Sequence, residues 1–466
     1  MKSAIGLALV CASMTAQVRL PAHTKKVLPN GLTVTLAPRR ELPMLTLRAV
    51  VRGGVEADPA GMAGLNHMTA ELLRRGTTGE GAMGATEFAE ALDFLGAEFK
   101  VKVDAQSTQV VLDFLAKDSG RAISLLAAAL ARPAFDEAEV KKALTQQIGL
   151  AQAAKDDPRQ LLRLYARPFY FGAAHPYGRP EMGDETSLKA LTREAIVGLH
   201  KRLYVGRNIH LVAAGDFEPA ALLKQIESTF GGLPSGERFT GSARRVVNHG
   251  EARLLLVDKP DATQTYFTIE FPGIDRTDPD RTVLSLLNTL FGGRFTSMLN
   301  DELRVNSGLT YGANSRVQMD RLPGAIVIST FTKTETTAAA VDLAVDVMRR
   351  FFERGIDAEQ LRSAKAYVKG TFPPAALETT EQVSNLIGEL ELFGLGRGEV
   401  DDLFSRIDAV TLERANAAIK KYFRPERLQF CLVGKAAEIE KDVAKYAAKR
   451  RTVAASAEGV AVPAFE

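Results

Sequence analysis

His67 and Glu71 stand four residues apart in the stretch Gly64-Leu65-Asn66-His67-Met68-Thr69-Ala70-Glu71-Leu72-Leu73-Arg74-Arg75-Gly76-Thr77. On a helix they share one face. There an imidazole and a carboxylate can pair, which is worth roughly 0.2–0.5 kcal/mol. Arg304 and Tyr311 form a second group, a guanidinium and a phenol seven residues apart. Both are donors able to stabilise developing oxyanion charge. A plainer alternative has Arg304 paired at a helix end and Tyr311 half-buried on a strand. The remaining histidines, His23, His175, His200, His210 and His249, are scattered and complete no metal-ligand spacing. His175-Pro176-Tyr177-Gly178-Arg179-Pro180 reads as a turn, because Pro and Gly dominate it.

Other chemistries find little footing. The 466 residues carry 59 Lys and Arg against 56 Asp and Glu, a net charge of +3, so no clustered basic face offers itself to nucleic acid. Lys445, Lys449, Arg450 and Arg451 read as a solvated helix end. Two cysteines, Cys11 and Cys431, exclude a disulfide framework and a thiolate zinc cluster, and Cys431 reads as a small core residue of a strand. Gly394-Leu395-Gly396-Arg397-Gly398 follows a helix and has Glu399 where a third glycine would be needed, so it reads as a helix-ending loop rather than a dinucleotide fingerprint. No P-loop and no Gly-x-Ser-x-Gly elbow occurs. Lys2, the apolar run Ala4 to Ala12 and the small residues Ala12 and Ala16 resemble an export signal over residues 1–16. That run is too short to span a bilayer, and an exported, soluble, periplasmic protein is the expectation.

The elements that position these groups read as two copies of one α+β pattern. Setting Val212 on Cys431 aligns Leu191 to Asp216 with Val410 to Ala436 at an offset of 219, and Phe135 to Val140 aligns with Ile356 to Leu361 at 221. Two separated matches at nearly one offset argue for duplication. Strands are predicted at Gly31 to Ala37, Leu45 to Val51, Glu98 to Val103 and Thr108 to Leu115, and helices at Met62 to Arg74, Thr86 to Leu95, Ser119 to Ala131, Asp136 to Ala154 and Pro158 to Tyr170. The second copy is predicted to have strands at Leu254 to Val257, Thr265 to Phe271, Thr310 to Val317 and Ala325 to Thr332. Its helices are expected at Pro279 to Phe291, Ser297 to Arg304, Thr336 to Arg354 and Asp357 to Tyr367. The resulting expectation is two homologous domains, 17–240 and 241–450. Each has an antiparallel-rich sheet with helices on one face; the linker lies near Leu233 to Gly250 and a disordered tail covers 451–466.

The 64–77 stretch resembles the signature helix of the insulinase (pitrilysin-like, inverzincin) zinc-peptidase family, anchored by Gly64-Leu65 and Gly76-Thr77. That family carries His-x-x-Glu-His on this helix and a further Glu about 75 residues on. The two His and the distal Glu hold zinc, and the inner Glu is the general base on the bound water. Here the first His is kept as His67. The base position is Ala70, the second His is Glu71, and the distal Glu falls at Gln147, 76 residues after Glu71. A methyl group cannot take a proton, and losing a general base costs about 10²–10⁴ in rate. Neutral Gln is a weak zinc ligand beside a carboxylate. The second half, Phe291-Gly292-Gly293-Arg294, Leu299 to Arg304 and Gly308-Leu309-Thr310-Tyr311-Gly312, is similar to the family's C-terminal motif. In it the residues at Arg304 and Tyr311 hold the substrate's backbone carbonyl.

The resemblance therefore implies a non-catalytic, substrate-holding subunit of the kind found among mitochondrial processing peptidase-like chains. It would bind no metal itself and would pair with a catalytic paralogue that carries the zinc. Peptides would enter a closed chamber and add as a strand to a sheet edge. Two alternatives stand beside it: a weakly active zinc peptidase with rearranged ligands at His67 and Glu71, and a non-peptidase scaffold or assembly protein of the same fold.

Overall fold

A computed structural model describes residues 18–243, 247 and 249–465. The expected export signal at 1–16 lies outside the described residues. The first half holds β1 (Thr24–Val27), β2 (Thr33–Pro38), β3 (Met44–Arg52), β4 (Glu98–Val103), β5 (Ser107–Leu115) and β6 (Ile209–Gly215). They form one six-stranded sheet in the order β1-β2-β6-β3-β5-β4. The second half holds β7 (Arg253–Asp258), β8 (Gln264–Pro272), β9 (Asn314–Met319), β10 (Pro323–Lys333), β11 (Gln429–Gly434) and β12 (Lys449–Ala454), in the order β12-β7-β11-β8-β10-β9. Five strands correspond one to one. β2 and β7 run parallel to β6 and β11, which run antiparallel to β3 and β8, and the β3-β5-β4 and β8-β10-β9 ladders are antiparallel throughout. Only the outer strand differs: β1 is antiparallel to β2, whereas β12 is parallel to β7. The duplication read from the sequence is thus visible as strand order.

Strand alternation sends odd and even residues to opposite faces. In the first sheet Leu45, Leu47, Ala49, Leu211 and Ala213 face a core built with the helices of their own half. Val212 and Ala214 face the other way, onto Val383, Leu386, Ile387 and Leu390 of the helix Thr380–Phe393, which comes from the second half. The second sheet mirrors this. Leu254, Leu256, Phe430 and Leu432 face its own helices, while Leu255, Val257, Cys431 and Val433 receive Leu161, Leu162, Tyr165 and Phe169 of the helix Pro158–Phe171 from the first half. Each half therefore covers its own sheet on one side, as expected, and the other half's sheet on the second side.

Two corrections concern the second half of the chain. The stretch 451–466 was expected to be disordered. Residues 451–454 instead complete β12, and Val460, Val462 and Phe465 pack beside the 158–171 helix. The predicted strand at Thr310 begins only at Asn314, which leaves Tyr311 in the preceding loop. The phenol is therefore 77% exposed rather than half-buried.

Candidate functional site

The helix Leu65–Glu71 is short, and its start is fixed by backbone geometry. Gly64 sits at φ +86°, and a Cβ there would come within 2.7 Å of the Gly183 backbone. The buried Asp58 carboxylate accepts from the Gly64 and Asn66 backbone N–H groups at 3.0 and 2.8 Å, so it caps the helix from six residues upstream. Burial raises its pKa to about 7, against the pull of those two donors and of Arg179 and Arg202. Leu65, Met68 and Leu72 face the core, which turns His67 and Glu71 outward.

The structure brings three sequence-flagged positions together there. The Gln147 side chain, on the helix Glu137–Ala153, reaches the His67 ring. Gln147 also donates to the Met182 carbonyl at 3.3 Å. Glu71 does not form the expected charged pair with His67. Burial holds the imidazole below its ordinary pKa, more strongly than Glu71, Gln147 and Glu181 favour its cation. The Glu71 carboxylate instead accepts from Arg74 at 2.5 Å. Ala70 is completely buried, with 0% exposure. Arg74, Glu181 and Met182 joined the site without any signal in motif spacing. Glu181 is itself paired with Arg167.

These groups do not fit a zinc ion. A catalytic zinc wants three protein ligands, most of them charged or imidazole, and an open position for water. Here one imidazole stands beside a neutral amide, a weak zinc ligand next to an ionised carboxylate. The nearby carboxylates of Glu71 and Glu181 each already carry a guanidinium, whose positive charge opposes a dication. No group of three His, Cys, Asp or Glu among the described residues is placed to hold a metal. The buried His200 and His210 and the half-buried His249 each bond one oxygen at 2.8–2.9 Å and are pushed down to about 4 by desolvation, helped at His249 by the Arg253 charge, as neutral structural histidines. His175 caps the turn Pro176–Gly178 by accepting from the Tyr177 N–H at 3.1 Å.

The second group is built differently. The helix Arg281–Asn288 passes into a π-helical turn, Thr289–Gly293, and Met298–Asn300 into another, Asp301–Asn306. Such wide turns recur at functional sites. Gly292 is required for packing, since a Cβ there would lie 2.5 Å from the Ser315 backbone nitrogen. Arg304, on the second π turn, lies 4.7 Å from the Tyr311 ring centroid and 4.7 Å from that of Phe295. Phe295 is 65% exposed and was not singled out in the sequence; its place directly after Gly292-Gly293-Arg294 was the available signal. Glu302, the acid nearest to Arg304 in sequence, is taken by Arg350 at 2.8 Å. No hydrogen bond, ion pair or ring contact among the described residues joins this group to His67, Glu71 or Gln147.

Comparison with known proteins agrees with this division. Residues 39–172 match the family described as Insulinase (Peptidase family M16), and residues 190–368 match the Peptidase M16 inactive domain. An uncharacterized zinc protease of Mycobacterium bovis is 27% identical over 405 residues, covering 86% of this chain and 90% of its own length. A non-peptidase homolog, YmxG, of Helicobacter pylori is 24% identical over 392 residues, covering 84% and 89%. Among solved structures, a peptidase M16 inactive domain from Pseudomonas fluorescens superposes with a TM-score of 0.82 at 23% identity, covering 89% of this chain and 98% of that one. The first half of the periplasmic protease PqqL from Escherichia coli gives 0.73 at 14% identity, covering 92% and 95%. With the matched fold in both halves, the chain belongs to the insulinase family, peptidase family M16.

Proposed function

We propose that this chain is the non-catalytic, substrate-holding subunit of a heterodimeric zinc metallopeptidase. Its partner would be a paralogue with an intact His-x-x-Glu-His helix, the zinc would belong to that partner, and peptides would be cleaved in a chamber closed between the two. The observation that carries this reading is the asymmetry between the two groups. Two zinc-ligand positions are filled by the Arg74-paired Glu71 and by Gln147, and the general-base position by the buried Ala70. Arg304 and Tyr311 meanwhile stay exposed and in contact with each other. Such a pair of donors suits the carbonyl oxygen of a bound peptide, where charge develops in hydrolysis.

The N-terminal sequence supports export, and no helix among the described residues is long and apolar enough to cross a membrane. The test is reconstitution. Alone, the chain is expected to cleave no peptide. Mixed with the paralogue it should raise cleavage, and Arg304→Ala or Tyr311→Phe should lower the gain by about 10²-fold, the usual cost of one oxyanion donor. A paralogue equally active without this chain would end the subunit reading. The similarity to chains named zinc protease keeps a rival in view, a peptidase using His67 and Glu71. That rival requires zinc that disappears on His67→Ala.

A further inference from the structure

We propose that Arg304, held between Phe295 and Tyr311, is a receptor for a peptide carboxylate. This rests on the reading of this face as substrate-holding and adds the chemical group it selects. Three observations converge. First, both ring contacts of Arg304 are to exposed aromatic side chains, at 4.7 Å each. Stacking of this kind uses the guanidinium faces and leaves its N–H edge unspent. Second, no carboxylate among the described residues pairs with Arg304. Glu302 is drawn away to Arg350, which also holds Asp346 at 3.0 Å. Third, Arg294, next in sequence to Phe295, also has no acidic partner among the described residues. It donates to the Thr296 carbonyl at 3.3 Å and the Ser363 hydroxyl at 2.9 Å, and its guanidinium lies 5.8 Å from the Tyr367 ring.

Arg304 differs in this from exposed arginines such as Arg40, paired with Glu218, and Arg397, paired with Asp401. A guanidinium stacked on two exposed rings, with no acidic partner among the described residues, is therefore a local positive charge on an aromatic floor. A backbone carbonyl satisfies one N–H of such a fork. A carboxylate satisfies two and brings the opposite charge. Phe295 is on this account a positioning residue: it keeps the Arg304 fork flat and facing outward. The carboxylate could be the C-terminus of a peptide or the side chain of an Asp or Glu within it.

The chain contains no tryptophan, so the fluorescence of a Trp-bearing peptide can be read without background. Three otherwise neutral ten-residue probes would be titrated into the full chain: a free C-terminal acid, the same peptide amidated, and the amide carrying one internal Asp. The acid, or the Asp amide, is expected to bind about tenfold tighter than the plain amide, the scale of one charge-assisted pair over its neutral counterpart. Which of the two gains identifies the carboxylate source. The preference should weaken with salt, vanish in Arg304→Lys, which keeps the charge but loses the fork, and shrink several-fold in Phe295→Leu, with thermal stability unchanged because Phe295 is exposed. Equal binding of all three probes would overturn the carboxylate site while leaving peptide-holding intact. No binding by any probe would overturn both. A preference that survives both substitutions would place the receptor elsewhere and overturn the assignment.

Discussion

Glu71 and Gln147 stand where the family's second His and distal Glu would hold zinc, and Ala70 stands where its general base would be. Ala70 has no exposed surface. Restoring the family's base there by Ala70→Glu alone puts a carboxylate where no cation waits for it. The expected cost is about 1–3 kcal/mol of stability, read as a lower urea midpoint, with no peptidase activity gained. Combining Ala70→Glu with Glu71→His and Gln147→Glu rebuilds the full ligand set and is expected to bind zinc stoichiometrically by metal analysis. A triple variant without zinc would show that the site's surroundings, Arg74 above all, have diverged as well. At this scale the sequence was informative where a motif fixed the register: His67, Glu71 and Gln147 do meet. It was silent on Arg74, Glu181 and Met182, because nothing in the spacing of one stretch reveals which loop folds over it. It also misassigned the partner of Glu71, since an arginine at i+3 competes with the histidine four residues back.

Most helices and strands followed from periodicity, but their pairing across halves did not. The helix Thr380–Phe393 lies on the first sheet, where Arg52 donates to its Leu392 and Glu391 carbonyls at 2.7 Å each and Arg48 donates to Ser384 at 3.1 Å. Arg253 does the reciprocal service for the helix Pro158–Phe171, donating to the Phe169 carbonyl at 3.0 Å. Guanidiniums at helix C-termini satisfy the last carbonyls and complement the helix dipole. Gly388 lets the first contact close, since a Cβ there would meet the Val50 side chain at 2.9 Å. Gly388→Leu is expected to lower stability by about 1–3 kcal/mol through overpacking, measured by denaturant titration. Neither the exchange nor this glycine was legible, because an amphipathic helix announces that it has an apolar face and not whose sheet it covers. The buried Glu270 on β8 offers a further test. Burial raises its pKa to about 8, against the Thr268 hydroxyl and the charges of Arg167 and Arg316. A carboxyl protonated in the folded chain but ionised when unfolded binds more protons folded. Its stabilising contribution is therefore complete below pH about 4.5 and is lost as pH rises towards 8. Glu270→Gln keeps the neutral form at every pH. The difference in melting temperature between wild type and this variant should widen from pH 5 to pH 8.5, to the variant's advantage. A constant difference would mean that Glu270 is ionised throughout.

Across the whole molecule, reciprocal helix exchange makes the two sheets one body. Tyr177 extends the coupling: its hydroxyl donates to Gln106 at 3.2 Å and accepts from the Leu322 N–H at 3.0 Å. Arg321 pairs with the buried Glu56. The C-terminal residues strap the same seam, with Lys155 donating to the Ala457 carbonyl at 2.5 Å and the Val460 N–H to Asp184 at 2.9 Å. Deleting 455–465 should therefore raise hydrogen exchange in 155–189, the segment that carries Glu181 and Met182 to the His67 helix. Halves locked in this way leave little freedom for a chamber to open within one chain, which agrees with an opening between this chain and a second one. All of this presumes that the His67 helix holds no hydrolytic metal. The most direct test is the zinc content of the purified full chain, wild type beside His67→Ala. The expected result is substoichiometric zinc, equal in both. One zinc per chain in the wild type, lost in His67→Ala, would contradict the account.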